Sequence, residues 1–331
     1  MRAPGFWAED GWRARALTPA AALFCAAGAL RRRLVRPVRV SAPVICVGNP
    51  TLGGAGKTPT VQAIVARLQA RGATPAVLLR GYGGAATGPV RVDPTRHTAR
   101  DVGDEALLHA ARAPTVVAAD RPAGARLAIE QGADYLVMDD GFQNPSLRKD
   151  LSILTVDGGV GFGNGRVAPA GPLREPLAAA LARADLIVLI GEDRTGARAA
   201  LASRAPILEA ALAPVDPSPE LLGARLVAFA GIGRPRKFFE SLEGAGANLA
   251  ETRAFPDHHT YESATLAELR ETAERSGARL ATTEKDAARL SVVQRESLRT
   301  SRGALIVLRV RLAFSDESAQ LLEERLTALR P

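Results

Sequence analysis

Histidine and cysteine are scarce in this chain, with four histidines and two cysteines in 331 residues. His258 and His259 adjoin, but His97 and His109 stand far from them in sequence, which argues against a structural zinc cluster. Cys25 and Cys46 both sit in apolar surroundings, so buried thiols are expected rather than a disulfide framework. Lysine is rarer still for a basic chain: of 43 Lys and Arg, only Lys57, Lys149, Lys237 and Lys285 are lysine. This arginine bias weakens any argument from the net charge of +8. Long apolar runs are lacking too. The uncharged run at 17–30, LTPAAALFCAAGAL, rises only about 21 Å as a helix, short of the roughly 30 Å of a bilayer's hydrocarbon core.

Charge distribution says more than its total. Residues 1–39 carry eight arginines against Glu9 and Asp10. Nucleic acid is one partner such a basic end suits. The apolar pattern favours a membrane surface: Phe6, Trp7 and Trp12 precede the uncharged run and RRRLVR follows it. A short helix lying in the interface would accommodate arginines and tryptophans alike, whereas an ordinary helix packed on the body is the plainer reading. A signal peptide fits poorly, because the strongest positive charge follows the apolar run.

The chain is 47% hydrophobic, enough for a substantial core and two domains. Continuously apolar strands are expected at 40–47, 75–79, 135–138, 151–156 and 184–191, with another at APTVVAA. Helices are expected between them, at 58–69, 103–111 and 122–131. That alternation predicts a mainly parallel sheet covered on both faces. Residues 158–176 are Gly/Pro-rich without apolar period, as a long functional loop would be. Residues 211–220 read as a polar joint. A smaller α/β unit follows from 221, with a helix at 265–277 and a late strand in ALIVLRVRL. The expected division is a basic amphipathic segment at 1–35, a core at 36–220 and a smaller unit at 221–331, whose last strand has the option of returning to the core.

The loop PTLGGAGKTPT at 50–60 follows the first strand and opens a helix. In the phosphate-binding pattern GxxxxGK[ST], successive backbone N–H groups wrap phosphate at a helix N-terminus. Thr51 stands where that pattern has its first glycine, and Gly53 and Gly54 supply the flexibility. Gly53, Gly54, Ala55, Gly56, Lys57 and Thr58 are the expected nucleotide cradle. Lys57 would reach the β- and γ-phosphates and the Thr58 hydroxyl would hold Mg²⁺. Asp139 and Asp140 end a strand where a magnesium-securing carboxylate belongs, and two adjacent carboxylates there repel unless a cation compensates. For acid–base work the candidates are Asp104 and Glu105 in DVGDEALL, and Asp257, His258 and His259 in FPDHHTY. Arg80, Arg121, Arg166 and Arg174 lie near expected strand ends and suit phosphate clamping. TEKD at 283–286 reads either as a nucleotide contact or as a turn stabiliser.

Taken in order, these stretches resemble one family. VGNPTLGGAGKTP, LLRGYGG, VGDEALL, AADRPAGA, MDDGFQNPSLRKDLSILTVD, GNGRVAPAGPLREP, FAGIGRPRKFF, FPDHHTY and TTEKDAARL together are similar to the tetraacyldisaccharide 4'-kinases of lipid A synthesis. Ala106 replaces the proline of that family's DEP pattern. The resemblance implies a P-loop NTPase-like α/β fold with a second, smaller α/β domain and an N-terminal membrane-associating helix. It implies transfer of the γ-phosphoryl group of ATP to the 4'-hydroxyl of tetraacyldisaccharide 1-phosphate, with Mg²⁺, at the cytoplasmic face of a bacterial inner membrane. It gives Asp104 and His258 catalytic roles beside Lys57 and Asp139. It puts Thr58, Glu105, Asp139 and Asp140 in the metal network, and Asn49, Arg80, Arg121, Arg166 and Arg174 against substrate. The alternatives are a phosphate-loop kinase or NTPase with another membrane-associated acceptor, and a non-catalytic nucleotide-switched module. Nucleic acid is not an expected partner, and oligomeric state leaves no mark in the sequence.

Overall fold

The computed structural model describes residues 4–201, 205–215 and 220–330. Residues 216–219 of the expected joint lie outside them. Thirteen strands occur among the described residues: β1 Val44–Gly48, β2 Pro75–Leu79, β3 Val90–Arg91, β4 Thr115–Val117, β5 Tyr135–Asp139, β6 Leu151–Asp157, β7 Leu186–Ile190, β8 Ile207–Pro214, β9 Arg225–Ala230, β10 Asn248–Ala254, β11 Arg279–Thr283, β12 Ile306–Leu308 and β13 Val310–Phe314. Nine form one sheet in the order β13-β8-β7-β6-β1-β5-β2-β4-β3, and four form a second in the order β10-β9-β11-β12.

The large sheet is parallel from β8 through β4 and antiparallel only at its edge strands β13 and β3. Its central strands are apolar at every position because both faces are covered. Ile45 and Val47 of β1 face one side with Ile64, Leu68, Leu322 and Leu326. Val44 and Cys46 face the other with Leu136, Met138, Ala125 and Leu181. Burial in this second layer pushes the Cys46 thiol up to about 11, whereas Cys25 is only partly buried.

Helix Lys57–Ala70 buries Thr60, Val61, Ile64, Val65 and Leu68, one stripe at helical spacing. Each large side chain of that stripe contributes about 1.5–3 kcal/mol through burial. Truncating the fully buried Ile64 to alanine would cost about 2–5 kcal/mol. The stripe thereby fixes the helix's first turn, where the phosphate loop ends.

The small sheet is parallel throughout. Helix Pro235–Gly244 packs Phe238 and Leu242 on one face; helix Ser263–Arg275 packs Leu266, Leu269 and Ala273 on the other.

Two sequence expectations change. The polar joint at 211–220 begins inside β8, which runs to Pro214 because β13 pairs with it from Val310↔Pro214 to Phe314↔Ala210. The single late strand in ALIVLRVRL is two strands. β12 joins the small sheet beside β11, and β13 joins the large one. Hydropathy is continuous across exposed Arg309, so the change of sheet leaves no mark in the pattern.

The apolar run at 17–30 lies in helix Thr18–Leu34, of which only Ala21 is buried. Leu23 is 74% exposed, Phe24 52% and Leu34 72%, and Trp12 just before the helix is 75% exposed. No helix among the described residues is long and apolar enough to cross a membrane. The Gly/Pro-rich loop ties this segment to the body with polar contacts. Trp7 Nε1 donates to Pro169 O at 3.0 Å, and Asn164 N donates to Trp7 O at 2.8 Å. Arg166 donates through Nε to Asp10 Oδ1 at 2.6 Å and through Nη1 to Thr18 Oγ1 at 3.0 Å.

Candidate active site

β1 lies between β5 and β6, so the loop leaving its carboxyl end opens at the centre of the sheet, where open α/β sheets bind ligands. Gly56 takes φ +78° and caps helix Lys57–Ala70, and a Cβ there would come within 2.3 Å of Ile190 Cδ1. Only glycine meets both demands. Asn49 braces the loop from inside: its Nδ2 donates to Thr51 O at 2.7 Å and Gly53 O at 3.2 Å, and its Oδ1 accepts from Lys57 Nζ at 3.0 Å.

The register pairs Val47 of β1 with Asp139 of β5. That brings Asp139 Oδ2 to 3.5 Å from Thr58 Oγ1, and Lys57 Nζ to 3.7 Å from Asp140 Oδ1. Asp139 is fully buried. Its Oδ2 accepts from His109 Nε2 at 2.8 Å, while its Oδ1 has no hydrogen-bond partner. Burial pushes the Asp139 carboxyl up, but the His109 hydrogen bond and the Lys57 charge outweigh it and hold it below the ordinary carboxylate range. An ionised carboxylate only accepts, so His109 carries its proton on Nε2. Arg174 Nη1 donates to Asp140 Oδ2 at 3.1 Å, and its Nε to Thr51 O at 3.1 Å.

Asp104 begins helix Asp104–Ala110 and is 4% exposed. Its Oδ2 lies 3.1 Å from His258 Nδ1 and accepts from Arg289 Nε at 2.7 Å. Both partners come from the small-sheet unit. Glu105 pairs with Lys285 of that unit at 3.0 Å. Burial pushes Asp104 up, but the His258 hydrogen bond and the charges of Lys285 and Arg289 prevail and hold it well below the usual range. The same helix supplies His109, so one short element connects the Asp104–His258 pair to Asp139 and, through it, to Thr58.

Of the two adjacent histidines, His258 reaches Asp104, whereas His259 stacks on Phe255 at 4.6 Å between ring centroids. Among the described residues only Asp140 and His258 are non-glycine positions with positive φ, 55° and 60°. Both are at this site, where sparsely populated backbone angles tend to collect.

The sequence-derived residues do not all converge. Arg174 reaches Asp140, and Arg121 is buried, with Nη1 donating to Ala118 O. Arg80 is exposed. Arg166 is not at the phosphate loop: its guanidinium is held by Asp10 and Thr18, because the loop carrying it wraps the N-terminal segment. Glu105 faces Lys285 rather than the phosphate loop's lysine. In TEKD, Thr283 caps helix Glu284–Arg289, and the buried Asp286 accepts from Gly231 N and Tyr261 Oη. Those two residues stabilise a turn and aim Lys285 and Arg289 at the Asp104 helix.

Four contributors were given no role of their own from the sequence: His109, Arg289, Arg234 and Lys285, the last noted only as part of TEKD. Arg234 donates to Gly54 O at 2.5 Å and pairs with buried Asp157 at 2.6 Å, so the small unit also touches the phosphate loop. The rarity of lysine was a usable signal for Lys285. Arg234 and Arg289 had none in so arginine-rich a chain.

Oxygen donors gather at Thr58, Asp139 and Asp140; Asp139 Oδ1 is buried without a hydrogen-bond partner, and Asp140 Oδ1 faces the Arg174 and Lys57 cations at 3.1 and 3.7 Å. No group of three or more His, Cys, Asp and Glu side chains forms a protein-only metal cage among the described residues. A hydroxyl with one or two carboxylates is the donor set Mg²⁺ takes when phosphates complete its shell.

Residues 13–327 match the family model of tetraacyldisaccharide-1-P 4'-kinase. The tetraacyldisaccharide 4'-kinase of Methylobacterium nodulans is 51% identical over 339 aligned positions, covering 100% of this chain and 97% of the relative. That of Xanthobacter autotrophicus is 55% identical, covering 86% of this chain and 84% of the relative. In fold, the chain is similar to LpxK from Aquifex aeolicus, crystallised in complex with ATP, with a TM-score of 0.75 at 24% identity over 96% of this chain and 99% of that one. Because the matched span of 13–327 takes in both sheets and the site, and a relative 51% identical covers the whole chain, the chain belongs to the tetraacyldisaccharide-1-P 4'-kinase family.

Proposed function

We propose that this chain transfers the γ-phosphoryl group of ATP to the 4'-hydroxyl of tetraacyldisaccharide 1-phosphate. Beyond family membership, one observation carries the reading. A buried carboxylate, Asp104, is joined to His258 from the other sheet, and its helix leads through His109 to the carboxylate beside Thr58. A kinase must exclude water and orient an alcohol, and a second unit that meets the phosphate loop suits both tasks.

In this mechanism the loop N–H groups and Lys57 hold the nucleotide's phosphates and offset charge on the transferring group. Asn49 keeps Lys57 aimed. Asp104, with His258, orients the acceptor hydroxyl and takes its proton. Arg174 steadies Asp140 and the loop. Thr58, Asp139 and Asp140 would hold Mg²⁺, which when bound neutralises charge between the phosphates. Arg80 and Arg121 are further candidates for the acceptor's anionic groups.

The acceptor is amphiphilic, and the exposed apolar side chains of helix Thr18–Leu34 suit peripheral binding to the cytoplasmic face of the inner membrane. The direct test supplies labelled ATP, Mg²⁺ and tetraacyldisaccharide 1-phosphate in detergent micelles. Wild type yields a 4'-phosphorylated product; Asp104→Asn lowers kcat by about 10²–10⁴-fold with little change in KM for ATP. No product from folded, ATP-binding wild type would move the activity to another acceptor.

A further inference from the structure

The phosphate loop is held from two sides, and one of them is the small-sheet unit. From the large sheet, Asn49 Nδ2 fixes Gly53 O at 3.2 Å. From the small unit, Arg234 Nη2 fixes Gly54 O at 2.5 Å. These are consecutive carbonyls in a run of small residues. Gly53 takes φ +116°, and glycine on both sides leaves the peptide planes free to turn unless something holds them. The small unit lies directly over this stretch: a Cβ on Gly233 would stand 3.8 Å from Gly54 N. Arg234 is itself anchored, because the same Nη2 reaches Asp157 Oδ2 at 2.6 Å. Asp157 ends β6, the strand beside β1, and is buried. Its other oxygen, Oδ1, accepts from Gly159 N at 3.0 Å, which fixes the carboxylate's direction.

The C=O and N–H of a trans peptide point in opposite directions. Holding Gly54 O therefore turns the N–H of Ala55 away from Arg234. Ala55 is buried. Among the described residues, no protein acceptor takes the N–H groups of Gly53, Gly54, Ala55 or Gly56. Successive N–H groups of this kind bind an anion only while they point into one hollow. A flip of the Gly54–Ala55 peptide would put a carbonyl oxygen there instead.

Resting on the ATP-binding part of the kinase reading above, we propose that Arg234 is a positioning residue of the nucleotide site. It holds the Gly54–Ala55 peptide with its N–H directed at the nucleotide's phosphates and does not itself touch them. Asp157 keeps the guanidinium in place. The small-sheet unit thereby shapes the phosphate site as well as supplying His258. The coupling is reciprocal: phosphate in the loop strengthens the small unit's hold on it.

The test is calorimetric titration of the full chain with ATP and Mg²⁺, beside steady-state kinetics of phosphoryl transfer. Arg234→Ala should weaken ATP binding about tenfold, the worth of one charge-assisted hydrogen bond. KM for ATP should rise alike, with kcat at saturating ATP changed no more than about twofold, the pattern of lost ground-state binding. Asp157→Asn should also weaken ATP binding, by a smaller factor, because Arg234 keeps its charge but loses its anchor. The Arg234 side chain is 31% exposed, so truncating it opens no hole in a core. Should that variant nonetheless fail to fold, Asp157→Asn carries the same prediction. Lower unfolding stability with unchanged ATP affinity in both variants would make the contact a tie between units and overturn the proposal. A kcat lowered tenfold or more by Arg234→Ala, with ATP binding tightened by Asp157→Asn, overturns it too, since the guanidinium would then act on the transferring phosphoryl group. Wild type that binds no ATP overturns the kinase reading and the proposal together. Wild type that binds and transfers, beside variants that bind ATP equally well, overturns the proposal alone.

Discussion

In the proposed mechanism Asp104 carries two loads at once, as reacting group and as ion-pair partner. Its carboxyl is held low in the folded chain, so its contribution to stability is complete above the ordinary value of 3.8 and is lost as pH falls through the lower folded value. The urea midpoint of Asp104→Asn should lie below wild type at pH 7, and the gap should narrow between roughly pH 5 and pH 2. A gap independent of pH would mean the asparagine disturbs packing rather than charge. His109 is the quieter partner, buried against Asp139. His109→Ala strips a buried carboxylate of a donor and should cost about 1–3 kcal/mol of stability. His109→Gln, which keeps an N–H there, should recover part of it by the same urea measurement.

Among the elements, helix Thr18–Leu34 has the most uncovered apolar surface. Leu23→Ser with Phe24→Ser should weaken sedimentation with anionic vesicles at least about tenfold, given about 1.5–3 kcal/mol for each large apolar side chain buried. Undiminished partitioning would assign those side chains to a protein contact. This helix was legible because apolar run and arginine run adjoin in sequence. The phosphate loop and the Asp139–Asp140 pair were legible for a similar reason: strand, turn and helix are consecutive, and local chemistry dictates them. The Asp104–His258 pair was named only through the family resemblance, since 154 positions separate its members. Arg166 is held by Asp10 and Thr18, a pairing the sequence did not suggest because nothing local distinguishes a guanidinium aimed at phosphate from one aimed at Asp10. The division of ALIVLRVRL between two sheets depends on which edges stand open nearby, a fact of tertiary packing that hydropathy does not encode.

At the scale of the whole molecule, the two sheets are bound by polar contacts converging on one helix and one loop: Lys285 on Glu105, Arg289 and His258 on Asp104, Arg234 on Gly54. A double-mutant cycle on Lys285→Gln and Glu105→Gln should give a coupling of about 0.5–3 kcal/mol, read from urea unfolding. Additive effects would show that the remaining contacts hold the units together. The chain also crosses between the sheets twice, out after β8 and back at Arg309, and β13 is what closes the β8 edge. During synthesis, β8 therefore emerges roughly a hundred residues ahead of its partner. At ordinary ribosomal speeds of about 5–20 residues per second, the largest sheet presents an unpaired border for several seconds, while the intervening unit is still being made. The nascent core must be sheltered or must wait, because that edge is covered only when the final strand arrives.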